Sequence, residues 1–167
     1  MLEEEVKKLK EGDFSAFNQF YEKTKQKVFY NIYAILRDEG LSEDALQETY
    51  IRFLEKVSTL DEDKNALGFL FVISRNIALD FLRKRKKEVP LDTVDDIKDH
   101  HESYSIEEDE IFKKMKKLLS KREFEIVVLH VIDEMTHKEI SKLKHWPLGT
   151  ITWSYQNAIK KLKKGWN

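Results

Sequence analysis

Residues that break regular structure are scarce in this chain, and this scarcity constrains the fold more than any other feature. Among 167 residues there are only 5 glycines and 2 prolines, too few for the many turns of a β-sandwich or β-barrel. Apolar residues recur instead at spacings of three and four, the period of an amphipathic helix. There is no cysteine, which excludes a disulfide framework, a cysteine zinc site and a cysteine nucleophile. The sequence therefore predicts an all-α fold.

Charge is distributed unevenly along the chain, although the net charge is only −1. Residues 87–111 carry 2 basic and 10 acidic side chains, whereas residues 112–167 carry 13 basic and 5 acidic ones. A cationic C-terminal third is typical of modules that bind polyanions. An acidic stretch with few large apolar residues is typical of a linker. We therefore predict a helical domain over residues 1–88, an acidic linker over 89–110 and a basic helical domain over 111–167.

Three long helices and a short leading helix account for the apolar pattern of the first domain. Asp13 is the expected N-cap of the first long helix and Gly40 its expected end, and Ser42 then caps the second. The third helix is expected from Asn65 to Lys87, and the apolar faces together close one core. The residues that share these faces are Leu2, Val6 and Leu9; Phe17, Phe20, Tyr21, Thr24, Val28, Ile32 and Ile35; Leu46, Tyr50, Phe53, Leu54 and Val57; and Ala66, Leu70, Ile73, Ile77 and Phe81.

The outward face of the second long helix combines acidic and apolar residues. Asp44, Glu48 and Ile51 lie opposite the core stripe, and Gln47 lies at the edge of that face. An isoleucine among carboxylates on an exposed face suggests a protein partner with a basic rim. A solvated acidic face with a stray isoleucine explains the same residues.

The outward face of the third long helix is basic. Arg75, Asn76, Arg83 and Lys86 fall within one arc of roughly 100° away from the core. Arginine and lysine there can hold phosphates, and asparagine can read a base edge. A solvated polar face is the alternative.

The second domain has the pattern of a helix-turn-helix. Two capping boxes, S-K-R-E at 120–123 and T-H-K-E at 136–139, each open a helix, and the first of these helices has an apolar face that extends to Val131. Pro147 suits the first turn of a final helix that runs to about Lys164. A short helix, a tight break and a longer helix in a lysine-rich segment predict DNA binding. A purely structural two-helix corner is the alternative.

The final helix presents residues that can read and hold DNA. Its outward face carries Thr152, Trp153, Gln156 and Lys160. Glutamine pairs with adenine, threonine touches a thymine methyl group, and lysine neutralises phosphates. Trp153 can either contact DNA or pack on the neighbouring domain or linker, and we favour packing because buried aromatic residues outnumber base-contacting ones.

The sequence contains none of the patterns that we associate with catalysis, metal binding or membranes. It has no Gly-rich phosphate loop and no His-Glu-x-x-His motif, and its 5 histidines do not share a helix face at ligand spacing. Apolar runs are far shorter than the ~20 residues that span a bilayer, and the acidic N-terminus does not resemble a signal peptide. We therefore expect a cytoplasmic protein that is not an enzyme, with no cofactor, no metal and no membrane insertion.

Short motifs also occur along the chain in the order and spacing of a known family. These motifs are Gly12-Asp13, Ala16-Phe17 and Tyr21; Glu43-Asp44 and Gln47-Glu48-Thr49; Leu70, Ile73, Arg75-Asn76, Ala78, Asp80 and Leu82-Arg83; Leu119-Ser120-Lys121-Arg122-Glu123; and Glu139-Ile140 with Pro147-Leu148-Gly149-Thr150-Ile151. Together they resemble a bacterial RNA polymerase sigma factor of the extracytoplasmic-function (ECF) group, in its two-domain form. The resemblance covers nearly the whole chain.

The resemblance implies partners for the faces described above. Core RNA polymerase would bind the second helix, the third helix with loop 60–65 would hold the unpaired strand of the minus-ten element, and the final helix would enter the major groove of the minus-thirty-five element. An anti-sigma factor is a further implied partner, and the free protein is expected to be a monomer. The implied residues are Asp44, Gln47, Glu48 and Ile51 for polymerase; Arg75, Asn76, Asp80, Arg83 and Lys86 for the minus-ten element; and Pro147, Gly149, Thr150, Thr152, Trp153, Gln156 and Lys160 for the minus-thirty-five element.

The helix-turn-helix departs from the family pattern at several positions. Thr152, Ser154 and Asn157 stand where the family commonly has Lys or Arg, and Ser141 and Lys144-His145 replace the usual Ala and Leu-Gly. Each missing phosphate contact lowers the salt dependence of DNA binding by about one unit. We therefore expect either an unusual promoter or weak upstream binding that relies on polymerase.

Two other functions are compatible with parts of the sequence. A stand-alone DNA-binding regulator would use the helix-turn-helix but leaves the face around Asp44, Gln47 and Glu48 unexplained. A sigma-like protein that binds polymerase or an anti-sigma factor but no promoter would explain the missing basic residues. Promoter-dependent transcription separates this last class from a sigma factor.

Overall fold

The computed structural model describes residues 2–61, 64–88 and 109–166. Every regular element within these ranges is helical, which confirms the predicted all-α fold. The chain divides into two compact units, residues 1–104 and 105–167. Most of the predicted linker, from residue 89 to residue 108, lies outside the described residues. In the described part, no helix is both long and apolar enough to cross a membrane.

The first unit is built from four helices joined by short turns. Its elements are α1 (Glu3–Lys10), a 3₁₀ turn (Phe14–Ala16), α2 (Phe17–Leu36), α3 (Glu39–Lys56), a second 3₁₀ turn (Val57–Thr59) and α4 (Ala66–Glu88). Helices α2, α3 and α4 pack on one another in pairs, and α1 packs against α2 and the turn that follows α3. The predicted leading helix and three long helices are therefore all present.

Aromatic packing in this core fixes the rotation of α3. The fully buried rings of Phe20 and Phe53 stack with centroids 5.0 Å apart. Thr24 donates its hydroxyl to the Phe20 carbonyl oxygen at 2.8 Å and lies 2.7 Å from the Tyr50 hydroxyl. Because the Thr24 hydroxyl donates to Phe20, it accepts a hydrogen bond from the Tyr50 phenol, and burial raises the pKa of that phenol. With this side of α3 held inward, the opposite side faces solvent.

The corner between α2 and α3 differs from the prediction. Helix α2 ends at Leu36 because Arg37 adopts the left-handed conformation, with φ 53°. Asp38 is the N-cap of α3 and accepts a hydrogen bond from a backbone N–H of the first turn at 3.0 Å. Gly40 is therefore not the end of α2 and Ser42 is not a cap. Both residues are buried within α3.

The start of α2 also differs in detail. Asp13 caps the 3₁₀ turn, where its carboxylate accepts a hydrogen bond from the Ser15 backbone N–H at 3.1 Å. Ala16 is the residue that precedes α2, and its side chain makes no cap hydrogen bond. A cap predicted from sequence thus lies one short turn before the helix to which it was assigned.

The second unit contains the predicted helix-turn-helix. Its elements are α5 (Glu110–Leu118), α6 (Lys121–Val127), a π-helical turn (Val128–Ile132), α7 (His137–Lys144) and α8 (Leu148–Lys164). Both predicted capping boxes are present with reciprocal hydrogen bonds, at the start of α6 and at the start of α7. Ile126, Leu129, Ile140 and Ile151 form the core, and Trp146 packs against it.

The π-helical turn changes the face on which Val131 lies. The Asp133 N–H bonds to the Val128 carbonyl oxygen, five residues earlier, at 3.2 Å. An i→i+5 turn inserts one residue relative to an α-helix. Residues along and beyond the turn are therefore rotated about the helix axis, by up to about 100° relative to a continuous α-helix. Val131 was predicted to continue the apolar face of α6, but it is 56% exposed.

Candidate protein and nucleic-acid interfaces

The outer face of α3 (Asp44, Gln47, Glu48 and Ile51) is solvent-exposed. Ile51 lies at its centre with 59% of its surface accessible, and the other three side chains are exposed around it. Arg52 borders this face and lies 3.7 Å from a Glu48 carboxylate oxygen. The face therefore presents an apolar centre with acidic and amide groups, and Glu48 is partly neutralised by its neighbour.

The outer face of α4 carries the residues assigned to the minus-ten element. Asn76, Asp80, Arg83 and Lys86 are exposed, whereas Arg75 is half-buried. Arg83 forms an ion pair with Asp80, one turn earlier. This pairing orients the guanidinium and lowers the net positive charge that this part of α4 presents.

Two apolar residues on the same face of α4 were missed by the sequence analysis. Val72 is 46% exposed and Leu79 is 41% exposed. At 100° per residue they lie on the arc that contains Asn76 and Arg83. Helical periodicity could therefore have predicted their exposure. They give this basic face an apolar component suited to unstacked bases.

A cleft lies between α1 and the loop that leads into α4. Its volume is about 770 Å³, and Leu2, Val6, Leu60 and Leu67 provide apolar walls. The polar lining is of mixed charge and includes Glu3, Lys7, Lys10, Glu11, Asp61, Lys64 and Asn65. Loop 60–65 was predicted from sequence to belong to this region, whereas α1 was not, because the contact between α1 and the loop joins residues distant in the chain.

Asn65 is fixed at the edge of this cleft. Its side-chain oxygen accepts a hydrogen bond from the Leu67 backbone N–H at 3.0 Å. This contact caps the first turn of α4. It leaves the amide nitrogen of Asn65 as a donor near the cleft.

Ser141, Lys144 and His145, which depart from the family pattern, each have a role in the turn between α7 and α8. His145 adopts the left-handed conformation with φ 56° and ends α7. Ser141 donates its hydroxyl to the Trp146 carbonyl oxygen at 2.6 Å, and Lys144 lies 2.5 Å from a carboxylate oxygen of buried Glu125. Ser141 and Lys144 therefore fix the turn through contacts within the domain.

The outward face of α8 has a bulky aromatic centre. Trp153 is 66% exposed and does not pack into the core of its own unit. Gln156 and Lys160 are exposed on the same side, and so is Gly149. The remaining residues assigned to this site are Pro147, which is exposed, and Thr150 and Thr152, which are half-buried.

Two of the departures from the family pattern face the interior of the unit. Ser154 is only 4% exposed. Asn157 donates its amide to a Glu123 carboxylate oxygen at 2.8 Å, and Lys161 approaches the same carboxylate at 2.9 Å. Ser154 and Asn157 therefore make contacts within the unit itself. Helical periodicity predicts this for Ser154, which lies about 40° from buried Ala158, but not for Asn157, which lies about 40° from exposed Trp153.

Glu123 joins α6 to α8 through a buried carboxylate. Burial disfavours its ionised form, but hydrogen bonds from the Ser120 backbone, Lys161 and Asn157 outweigh burial and hold the pKa below its usual range. The carboxylate therefore remains charged and fixes the orientation of α8.

An aromatic cluster lies under the helix-turn-helix. The rings of His130, His137 and Tyr155 have centroids 4.6 to 5.1 Å apart. His137 Nδ1 lies 3.2 Å from the Thr152 hydroxyl, and its Nε2 is buried without a hydrogen-bond partner. Burial, followed by the charge of His130, lowers the pKa of His137. Among the described residues no group of three or more histidines, aspartates or glutamates could hold a metal ion.

Comparisons with known proteins match these two units in order. The model of the Sigma-70 region 2 family matches residues 20–88, and the Sigma-70 region 4 model matches residues 110–162. The chain is 26% identical to the ECF RNA polymerase sigma factor SigW of Bacillus subtilis, over 98% of this chain and 96% of that protein. It is 28% identical to the ECF RNA polymerase sigma factor SigK of Mycobacterium bovis, over 90% of this chain and 86% of that protein.

Two solved structures have a similar fold. One is the sigma factor RpoE of Bartonella quintana in complex with the anti-sigma factor NepR, with a TM-score of 0.57, 20% identity and coverage of 89% of this chain and 94% of that one. The other is CnrH in complex with the cytosolic domain of CnrY, with a TM-score of 0.56, 18% identity and coverage of 97% and 94%. With both family regions matched in order and relatives aligned along nearly its whole length, the chain belongs to the ECF group of bacterial RNA polymerase sigma factors.

Proposed function

We propose that this sigma factor binds core RNA polymerase and directs promoter-specific initiation through three separate surfaces. The observation that carries the proposal is that α3, α4 and α8 each present a solvent-exposed face with different chemistry. We assign residues 1–88 to polymerase and the minus-ten element, 89–110 to an acidic linker and 111–167 to the minus-thirty-five element. The work is done by binding energy, and no catalytic step is proposed.

The outer face of α3 is the proposed contact with core polymerase. Ile51 supplies an exposed apolar centre, and Asp44, Gln47 and Glu48 supply a rim that complements basic groups on a partner. Apolar centres with polar rims are the usual organisation of protein interfaces. A stand-alone DNA-binding regulator would have no use for this surface.

The outer face of α4 and the neighbouring cleft are the proposed minus-ten site. Arg75, Arg83 and Lys86 hold phosphates, Asn76 contacts a base edge, and Asp80 orients Arg83 through their ion pair. A cleft of about 770 Å³ with apolar and mixed-charge walls has room for an extruded base. Capture of that base would stabilise the melted promoter without hydrolysis of a nucleotide.

Helix α8 is the proposed reader of the minus-thirty-five element. Its N-terminal residues, from Pro147 to Trp153, would enter the major groove, as in other helix-turn-helix proteins. Gln156 follows on the same exposed side, and Lys160 would neutralise a phosphate. Because Glu123 ties Asn157 and Lys161 to α6, the helix would meet DNA as a rigid element.

An anti-sigma factor is a proposed additional partner. The solved RpoE and CnrH structures are complexes, the first with an anti-sigma factor and the second with the cytosolic domain of CnrY. We extend such a partnership to this chain, together with a cytoplasmic location and a monomeric free state. Capture of a purified candidate anti-sigma domain, with release of core polymerase, tests this partnership directly.

Co-elution with bacterial core RNA polymerase in size-exclusion chromatography tests the central proposal. We expect the wild-type chain to co-elute and the Asp44→Ala/Gln47→Ala variant to lose co-elution. Gln19→Ala/Glu22→Ala is the matched control, because both residues are exposed on α2 at the same spacing, and it should behave as wild type. Failure of the wild-type chain to co-elute would refute the proposal and favour a stand-alone regulator.

Promoter-dependent transcription separates a sigma factor from a sigma-like binding protein. Reconstituted holoenzyme should produce defined transcripts from genomic fragments, whereas core polymerase alone should not. Co-elution without any defined transcript would instead support the sigma-like protein without promoter activity.

A further inference from the structure

Helix α8 lacks the side chains that most often read a G·C pair. It contains no arginine for guanine and no aspartate or glutamate for cytosine, and its first cation is Lys160. Arg122 is the only arginine in the chain after Arg85. Its guanidinium lies 5.0 Å from the centroid of the Trp146 ring, where a cation–π interaction attracts it.

Distance along the helix separates Lys160 from the base edges. Lys160 follows Gly149 by 11 residues, which is about 16 Å along the axis. Recognition helices lie in the major groove and contact bases with their N-terminal residues. Lys160, in the C-terminal half of α8, is therefore placed to contact phosphates. Gln156 lies about 10 Å from Gly149, close enough for its side chain to reach a base.

Contacts within the unit hold several other polar side chains of α8. Ser154 is buried, and Asn157 and Lys161 both bind Glu123. The Thr152 hydroxyl lies 3.2 Å from His137 Nδ1. Besides Leu148 in the first turn, Trp153 and Gln156 are the two large exposed side chains that remain in the base-reading part of the helix.

The chemistry of these two side chains selects particular base pairs. The glutamine amide donates a hydrogen bond to N7 of adenine and accepts one from its N6 amino group in a bidentate pair. Apolar side chains contact the C5-methyl group of thymine. Guanine is read mainly by the guanidinium or ammonium donors that this part of α8 lacks. We propose that α8 reads an A·T-rich upstream element, in which Gln156 contacts adenine and Trp153 contacts a thymine methyl group. This inference rests on the proposed function.

Selection from random duplexes by the holoenzyme, formed from the full chain and core polymerase, tests the base preference. The recovered upstream motif should be rich in A·T pairs. Individual positions are then probed with uracil in place of thymine, which removes the methyl group, and with 7-deazaadenine in place of adenine, which removes N7. Each substitution should weaken wild-type binding by at least about fivefold at the contacted position.

Variants connect each base to a side chain. In Trp153→Ala the penalty for uracil should disappear, and in Gln156→Ala the penalty for 7-deazaadenine should disappear. Trp166→Ala is the matched control, because Trp166 is also exposed, at 53%, and lies beyond α8. It should retain both penalties. Gln156→Arg should gain guanine at the contacted position, a change that a misfolded variant would not produce.

The outcomes distinguish this inference from the proposed function. A G·C-rich upstream motif, or base penalties that persist in Trp153→Ala and Gln156→Ala, would overturn the inference while promoter binding itself stands. Selection of no upstream motif by holoenzyme that co-elutes normally would also overturn it. Failure of the chain to join core polymerase would refute the proposed function instead.

Discussion

Replacement of Glu123 by alanine should show how strongly one carboxylate fixes α8 against α6. Glu123 is 6% exposed and accepts a hydrogen bond from the Ser120 backbone N–H at 2.9 Å. It also accepts one from Asn157 at 2.8 Å and one from Lys161 at 2.9 Å. The first contact is local to the capping box, whereas the other two cross to α8.

The second capping box offers a matched control for the local part of this effect. Glu139 occupies the same N3 position in α7 and accepts from the Thr136 backbone N–H at 2.8 Å, but its side chain is exposed. Glu139→Ala should therefore remove a capping contact of similar geometry. The difference between the two variants isolates the contacts that join the helices.

The expected magnitudes follow from the hydrogen bonds that each variant loses. A capping contact contributes about 1 kcal/mol to the free energy of unfolding, and this loss is common to both variants. The Asn157 bond to a charged acceptor adds about 1.5 kcal/mol. The Lys161 side chain is 40% exposed, so its ion pair adds only about 0.5 kcal/mol. We expect Glu123→Ala to cost about 3 kcal/mol and Glu139→Ala about 1 kcal/mol.

Tryptophan fluorescence during urea unfolding measures this difference in the intact chain. All 3 tryptophans, Trp146, Trp153 and Trp166, belong to the second unit, so the signal reports on that unit. Equal losses of stability in Glu123→Ala and Glu139→Ala would refute the reasoning, because the contacts to α8 would then contribute nothing.

Two further predictions concern the same unit and use the same fluorescence signal. His145→Gly should stabilise the second unit by about 1 kcal/mol, because glycine adopts the left-handed conformation of His145 without the steric cost of a side chain. Unchanged or lower stability would contradict this account. The lowered pKa of His137 means that the unfolded chain binds more protons than the folded chain below the ordinary value of 6.5. Stability should therefore be complete above that value and fall as the pH decreases from about 7 to about 5, and His137→Gln should flatten this dependence. A slope that is the same in wild type and variant would exclude His137 as its source.

Features set by contacts close in sequence were predictable. The two capping boxes at 120–123 and 136–139 need only four residues each, and both form as predicted. The outer face of α3 also follows from local geometry, since helical periodicity alone places Ile51 opposite Phe53 and Leu46.

Features that depend on backbone exceptions or distant contacts were not predictable in the same way. Arg37 and His145 end their helices in a conformation that usually favours glycine, so the sequence offered Gly40 as a more plausible stop. The π-helical turn moves Val131 to the surface, and nothing in the local pattern marks the extra residue. The role of Asn157 depends on Glu123, which lies 34 residues earlier.

Because α8 has few cations, its affinity for upstream DNA and its discrimination between base pairs have different sources in the proposed function. Lys160, Lys163 and Lys164 are exposed on α8, whereas Lys161 binds Glu123. With three phosphate contacts from α8, the affinity for DNA should fall only about fortyfold when the salt concentration rises fourfold. With six or more contacts it would fall by 10³ or more. Upstream affinity would then be supplied mainly by attachment to polymerase through α3, which raises the effective concentration of α8 at the promoter. Attraction to phosphates is the same for every DNA sequence. The low charge of α8 therefore does not reduce its discrimination between base pairs.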